Sequence, residues 1–106
     1  QNFYEGICRF SFDELCNRNL GAEDYLEIVK KSKFIVIEEI PLFNNTNSDQ
    51  QQRFITLLDI IHDKDIPLAT TAAQSLENFT SSKALKTPFE RTISRLYDLT
   101  SKKYNL

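Results

Sequence analysis

The sequence has no methionine and no tryptophan, and only two glycines, two cysteines and one histidine among 106 residues. A phosphate-cradling loop of the form G-x-x-x-x-G-K-[ST] needs glycines that turn backbone N–H groups inward onto a phosphate. Neither Gly6 nor Gly21 is followed by such a lysine. We therefore expect residues 1–106 on their own to be inactive in nucleoside triphosphate hydrolysis.

The scarcity of cysteine and histidine also limits the chemistry available to the chain. Cys8 and Cys16 match neither a C-x-x-C redox pair nor a zinc-binding spacing. We expect reduced, at least half-buried thiols in a cytosol-like compartment. His62 falls near the end of a helical pattern, where an imidazolium complements the helix dipole, and no cysteine or serine pattern accompanies it. We interpret His62 as structural.

Long apolar runs and an excess of positive charge are absent as well. The net charge is −2, and no basic stripe is present, so nucleic acid is not expected as a partner. No apolar run reaches the length of a membrane span, and residues 1–10 do not resemble a signal peptide. These features favour a cytoplasmic protein with at most peripheral membrane association. Since the chain has no initiating methionine, we interpret it as a fragment that lacks an N-terminal part.

Residues 33–73 form the pattern around which the rest of the chain is organised. Residues 34–37 are a continuous apolar run, which is typical of a parallel strand covered on both faces. A helical stripe follows, with apolar residues at Phe54, Leu57, Leu58 and Ile61. Residues 66–73 then form a second strand pattern. A helix between two strands implies parallel pairing, so the sequence predicts an α/β fold with a small, mostly parallel sheet flanked by helices.

The flanking segments add a strand and two helices. Residues 3–12 alternate loosely and predict an edge strand or an extended entry, and Ser11 or Asp13 can cap a short turn that begins at Glu14. Gly21 suits a position with positive φ or a tight approach. Residues 22–31 and 89–104 are predicted as helices.

Two acids follow the apolar run of the first buried strand. Glu38 and Glu39 are placed at its carboxyl end, and Thr70 and Thr71 at the end of the next strand. Open α/β sheets bind ligands at this edge, and acids there can hold Mg²⁺ in a nucleotide hydrolase. A solvated strand end is the alternative. A phosphate-receiver site using Glu38, Thr71 and Lys86 is a further alternative, although no paired-acid first strand is present to bind Mg²⁺.

Two arginines stand out in the last helical pattern. Arg91 and Arg95 are one helical turn apart and can share a face. Placed at the start of a helix, they would oppose its dipole, so we expect an anionic partner. That partner is either a phosphate, a neighbouring subunit, or a carboxylate of another element that packs this helix in place.

Several blocks, taken in order, resemble the C-terminal portion of the ZapE-type (Afg-like) AAA+ ATPases. An early block carries F-x-x-L-C, L-G-A and D-Y-L, here at Phe12, Leu15, Cys16, Leu20, Gly21, Ala22, Asp24 and Tyr25. Ile40-Pro41 is a strand end of the same kind. A central block is Arg53-Phe54-Ile55 with Leu57 and Asp59. The last block is Arg91-Thr92, Ser94-Arg95-Leu96 and a closing aromatic at Tyr104.

The resemblance implies that residues 1–106 are the C-terminal α/β fragment of an AAA+ P-loop ATPase. The family's phosphate-binding, magnesium-binding and sensor motifs would lie in the absent N-terminal part, which would bind most of ATP and Mg²⁺. Glu38 and Glu39 would then only resemble the acid pair of the family's magnesium-binding motif, which the resemblance implies lies upstream. Arg91 and Arg95 remain the candidates for cofactor contact, as phosphate-sensing or inter-subunit residues.

The resemblance also implies partners and a location. We expect a ring-like homo-oligomer that acts on division-apparatus or client proteins, in the cytoplasm of a bacterium. Mitochondrial members of the family would act instead in protein quality control. The alternative from the residues alone is a self-contained α/β interaction module without enzymatic activity.

Overall fold

The computed structural model describes the backbone of residues 2–4 and all of residues 6–101. Its strands are Asn2–Tyr4 (β1), Ile7–Ser11 (β2), Phe34–Ile40 (β3) and Leu68–Ala72 (β4). Its helices are Phe12–Cys16 (α1), Ala22–Lys30 (α2), Ser48–Asp63 (α3) and Lys86–Thr100 (α4), with 3-10 turns at Leu76–Asn78 and Lys83–Leu85. The closing aromatic Tyr104 lies outside the described residues. No described helix has the length and apolar character needed to cross a membrane.

The four strands form one sheet in the order β1-β2-β3-β4. β1 is antiparallel to β2, whereas β2, β3 and β4 are mutually parallel. The α/β fold and the parallel β3-α3-β4 unit are therefore confirmed. Residues 3–12 were predicted as one edge strand or an extended entry, but they contribute to two strands: β1 lies at the edge of the sheet, and β2 lies between β1 and β3.

Gly6 lies in the turn of the hairpin that joins the antiparallel strands β1 and β2. Its φ of +87° lies in a region that side-chain-bearing residues rarely adopt. A Cβ at this position would lie 2.9 Å from Cγ of Lys33. The carbonyl of Gly6 also accepts from the backbone N–H of Lys33 at 2.7 Å. Gly21, to which the sequence assigned this role, has φ −120° and open space around it, so that prediction was wrong.

Burial alternates along β3. Ile35 and Ile37 are 1% and 0% exposed, whereas Phe34 and Val36 are only half-buried. The prediction of a strand covered on both faces was therefore wrong. Since the parallel strands are neighbours in chain order and right-handed crossovers join them, the helices fall on one face of the sheet.

An aromatic cluster joins the helices to the sheet. The ring of Phe43 is fully buried, and its centroid lies 5.6 Å from Phe12, 5.7 Å from Phe54 and 5.3 Å from Phe89. Tilted and edge-on aromatic pairs at such distances contribute beyond their buried area. The cluster fixes α1, α3 and α4 against the loop that follows β3.

Candidate functional site

The carboxyl edge of the parallel strands brings together part of the predicted acid site. Glu38 lies within β3, and both oxygens of its carboxylate accept from Arg9 on β2, from Nε at 2.8 Å and from Nη2 at 2.7 Å. These hydrogen bonds hold the pKa of Glu38 below its usual value. A carboxylate engaged in a bidentate arginine pair is not a free magnesium ligand, so Glu38 acts here as a cross-strand tie.

Of the two acids at this edge, Glu39 is the exposed one. Its φ is +62°, which is strained for a residue with a side chain. Its backbone N–H donates to Oγ1 of Thr71 at 3.0 Å, where the register between β3 and β4 shifts. The expected proximity of the acid pair to the threonines of the next strand is therefore present, through backbone rather than carboxylate. Glu39 also lines a cleft of about 170 Å³ with Ser11 and Asp13.

This edge does not fit ATP with Mg²⁺. Asp13 and Glu39 give the cleft two carboxylates, which would repel a triphosphate. No group of three or more His, Cys, Asp or Glu residues suited to holding a metal ion occurs in the part of the chain that the structure describes. The sequence also offers no phosphate-cradling loop beside the acids.

Arg91 and Arg95 lie in the interior of α4, because the helix begins at Lys86 rather than at residue 89. The argument that they oppose the helix dipole is therefore wrong, since the dipole acts within the terminal turns. The guanidinium of Arg95 pairs with the carboxylate of Asp59 on α3. Nearby, Nε2 of His62 lies 3.6 Å from Oδ2 of Asp98, which joins the same two helices.

Arg91 differs from Arg95 in having no such contact. Its side chain belongs to an exposed residue of α4, and no carboxylate within residues 6–101 forms an ion pair with it. Of the two predicted cofactor-contacting arginines, only Arg91 thus presents an uncommitted guanidinium on the described surface.

The motifs that carried the resemblance contact one another. Nη1 of Arg53 donates to the carbonyl of Cys16 at 3.1 Å and so satisfies the end of α1. The hydroxyl of Tyr25 donates to the carbonyl of Leu15 at 2.7 Å. Burial raises the pKa of the neighbouring Cys16 thiol to about 12. These residues are therefore parts of the scaffold.

Sequence reasoning did not identify a cleft of about 580 Å³ beside α4. Phe79 and Phe89 stack within it, with ring centroids 6.4 Å apart. The signal that could have indicated it is a second row on α4, where Lys86, Phe89, Glu90 and Ile93 recur at helical spacing.

Comparison with known proteins identifies the family. The model of the AFG1-like ATPase family matches residues 2–106. The chain is 37% identical over 71 residues to Lactation elevated protein 1 homolog B of Danio rerio, which covers 67% of this chain and 14% of that protein. It is 26% identical over 94 residues to Cell division protein ZapE of Escherichia coli (strain K12), which covers 89% of this chain and 25% of that protein.

The chain thus spans a quarter or less of the length of these curated relatives. No solved structure matches it. Because the family model covers nearly the whole chain, and because the resemblance of the ordered motifs points the same way, the chain belongs to the AFG1-like ATPase family.

Proposed function

We propose that residues 1–106 act as the C-terminal α/β part of an AFG1-like P-loop ATPase that couples ATP hydrolysis to work on protein clients. The observation that carries the proposal is the family match across residues 2–106 in a chain that spans only a fraction of its relatives. The carboxyl edge of the parallel strands does not fit ATP with Mg²⁺. The proposal therefore assigns nucleotide binding and hydrolysis to other parts of the complete protein, and this part is inactive alone.

The contribution of this part is structural, with Arg91 as its contact residue. Arg95 is held by Asp59, so its charge is already compensated within the fold. Arg91 is exposed on the same helix and offers five N–H donors in a planar fork that suits a phosphate or a carboxylate. We assign to Arg91 either nucleotide phosphate sensing or a contact with a neighbouring subunit of a homo-oligomer.

The cellular role is proposed by analogy with the relatives. The name of the Escherichia coli relative places that protein in cell division. We propose division-apparatus proteins in the bacterial cytoplasm as clients of this protein, with protein quality control as the counterpart role in mitochondrial members. We propose at most peripheral membrane association for it.

The test uses the complete protein with Arg91→Ala and a matched control, Arg18→Ala, which removes another exposed arginine between α1 and α2. We expect Arg91→Ala to lower the ATPase rate or the oligomer size in sedimentation, and Arg18→Ala to change neither. Unchanged turnover and unchanged oligomer size in Arg91→Ala would refute the role of Arg91. Absence of ATP hydrolysis by the unaltered complete protein would refute the ATPase assignment itself.

A self-contained interaction module is the second candidate. It is favoured by the core cluster that the buried residues within 6–101 form by themselves. Urea unfolding of residues 1–106 separates the two candidates. A sharp two-state transition favours the module, whereas an aggregating or molten chain favours a part that needs the rest of the ATPase.

A further inference from the structure

The cleft beside α4 has an apolar floor. Its volume is about 580 Å³, within the range of binding pockets for small ligands and peptide side chains. The floor consists of Leu76, Phe79, Phe89 and Ile93. We call this cleft, between α4 and residues 76–86, the α4 groove.

The wall opposite α4 is held in place by buried polar contacts. Gln51 on α3 is fully buried; its Nε2 donates to Oγ of Ser81 at 2.7 Å, and its Oε1 accepts from the backbone N–H of Ser82 at 3.1 Å. Oγ1 of Thr80 donates to the carbonyl of Phe43 at 2.7 Å. Since these contacts fix the wall, the groove is formed before any ligand enters, which lowers the entropy cost of binding.

One end of the groove is basic. Lys83 and Lys86 line it at the start of α4 and are both exposed. The N-cap residue Leu85 provides no side-chain cap, and the first turn of α4 contains no acidic residue. The two ammonium groups and the positive end of the α4 dipole therefore favour an anion at this end.

The other end of the groove is acidic. Glu77 lines it and accepts from the hydroxyl of Tyr97 at 3.3 Å. Ile93, the last residue of α4 that lines the groove, lies about 10 Å along the helix axis from Lys86, at about 1.5 Å per residue. Glu90 adds a second carboxylate between the two ends. The groove thus carries cations at one end and carboxylates towards the other, over a length that holds roughly three extended residues.

We propose that the α4 groove binds a short segment of a partner protein that combines apolar side chains with a carboxylate at one end and basic residues at the other. The carboxylate lies at Lys83 and Lys86, the apolar side chains lie on the phenylalanine floor, and the basic residues lie near Glu77. Charge complementarity selects this occupant. A second copy of the chain suits the groove poorly, because Tyr97 is the one large hydrophobic residue exposed among residues 6–101 that it could insert. The inference is independent of ATP hydrolysis.

The probe is a fluorescein-labelled pentapeptide, Lys-Lys-Ser-Phe-Leu, with a free carboxylate, measured by fluorescence anisotropy against the complete protein. We expect saturable binding that is weakened about tenfold when the peptide is amidated, because the charge-assisted hydrogen bonds at the basic end are lost. An amidated peptide with an added C-terminal glutamate distinguishes the source of the carboxylate. If the added glutamate recovers the affinity, a side-chain carboxylate is sufficient for the basic end of the groove. If it does not, the groove requires the carboxylate of a chain terminus. Both results support the site.

Variants locate the binding. Lys86→Gln is expected to weaken the free-acid peptide about tenfold while leaving the amidated peptide unaffected. Lys64→Gln, an exposed lysine at the end of α3, is the matched control and is expected to change nothing. The proposal is overturned if no peptide binds below about 1 mM, or if binding ignores both amidation and Lys86→Gln. A dimer in sedimentation that Lys86→Gln dissociates would assign the groove to a second copy and would also overturn it.

Discussion

The ion pair between Arg95 and Asp59 is the contact whose removal best separates structural from functional roles on α4. It joins residues 36 positions apart, from α3 to α4. A double-mutant cycle of Asp59→Ala, Arg95→Ala and both together isolates the pairwise free energy of this contact.

The exposure of the two side chains sets the expected magnitude. Arg95 is 22% exposed and Asp59 is 50% exposed, so the pair is neither a fully solvated nor a buried one. Exposed pairs contribute about 0.2–1 kcal/mol, and we expect a coupling free energy of about 1 kcal/mol, at the upper end of this range. Arg95→Ala is expected to cost about 2 kcal/mol, because the aliphatic stem of the arginine also loses packing. The double variant is then expected to cost about as much as Arg95→Ala alone, since the contact is lost only once.

Urea unfolding of the four proteins gives the free energies of unfolding by linear extrapolation. All are measured at one pH, so that the nearby contact of His62 with Asp98 at 3.6 Å is held constant. The coupling should shrink at high salt, because a half-exposed pair is screened. Arg91→Ala is the matched control and should change stability by less than about 0.5 kcal/mol. Strictly additive costs of the two single variants would refute the pairing, and Arg95 would return as an uncommitted arginine.

Three further predictions concern the turn, the thiol and the cross-strand tie. Gly6→Ala is expected to lower the free energy of unfolding by at least about 1 kcal/mol, because φ +87° disfavours a side chain; an unchanged urea midpoint would contradict this turn geometry. Burial raises the pKa of Cys16 to about 12, so its reaction with a thiol reagent at pH 8 should be slow until urea unfolds the chain. The free energy of unfolding should also decline as pH rises above about 8.5, because the exposed thiol of the unfolded chain ionises there while the buried thiol does not. The guanidinium of Arg9 lowers the pKa of Glu38, so the contribution of Glu38 to the free energy of unfolding is present above about pH 4.3 and is lost as pH falls below it. Glu38→Gln should therefore make the free energy of unfolding, measured with urea, less dependent on pH in this acidic range.

The sequence predicted the parts of the fold that depend on local periodicity. The stripe of α3 is buried as expected, with exposures of 1% or less at Phe54, Leu57, Leu58 and Ile61. The parallel pairing of β3 and β4 followed from the helical pattern that connects the two strands. Local periodicity did not predict the position of β2 inside the sheet, because that position depends on a turn at Gly6. The sequence contains a second glycine, Gly21, and does not show which of the two adopts a positive φ.

The candidate site was harder to predict from the sequence. Periodicity indicates which face of a helix or strand is buried, but it does not indicate which residues of other elements contact that face. The acids of β3 were correctly placed near the threonines of β4, but the pairing of Glu38 with Arg9 needs the register of β2 against β3. The pairing of Arg95 with Asp59 needs the packing of α4 on α3, which no local pattern encodes. The start of α4 at Lys86 moved both arginines away from the helix terminus and removed the electrostatic reason for expecting a phosphate there.

The distinction between scaffold and contact residues leads to a test in the proposed complete ATPase. If Arg95 serves only to hold α4 on α3, the charge-reversed pair Asp59→Arg with Arg95→Asp should restore most of the stability lost in either reversal alone, since attraction between the same positions is regained. ATPase activity should then return with stability. If Arg95 instead contacts a phosphate, the reversed pair should recover stability but not turnover, because a carboxylate would then face the anion. Comparing unfolding free energy with turnover across the reversal therefore decides whether Arg95 acts only within the fold or also contacts an anion.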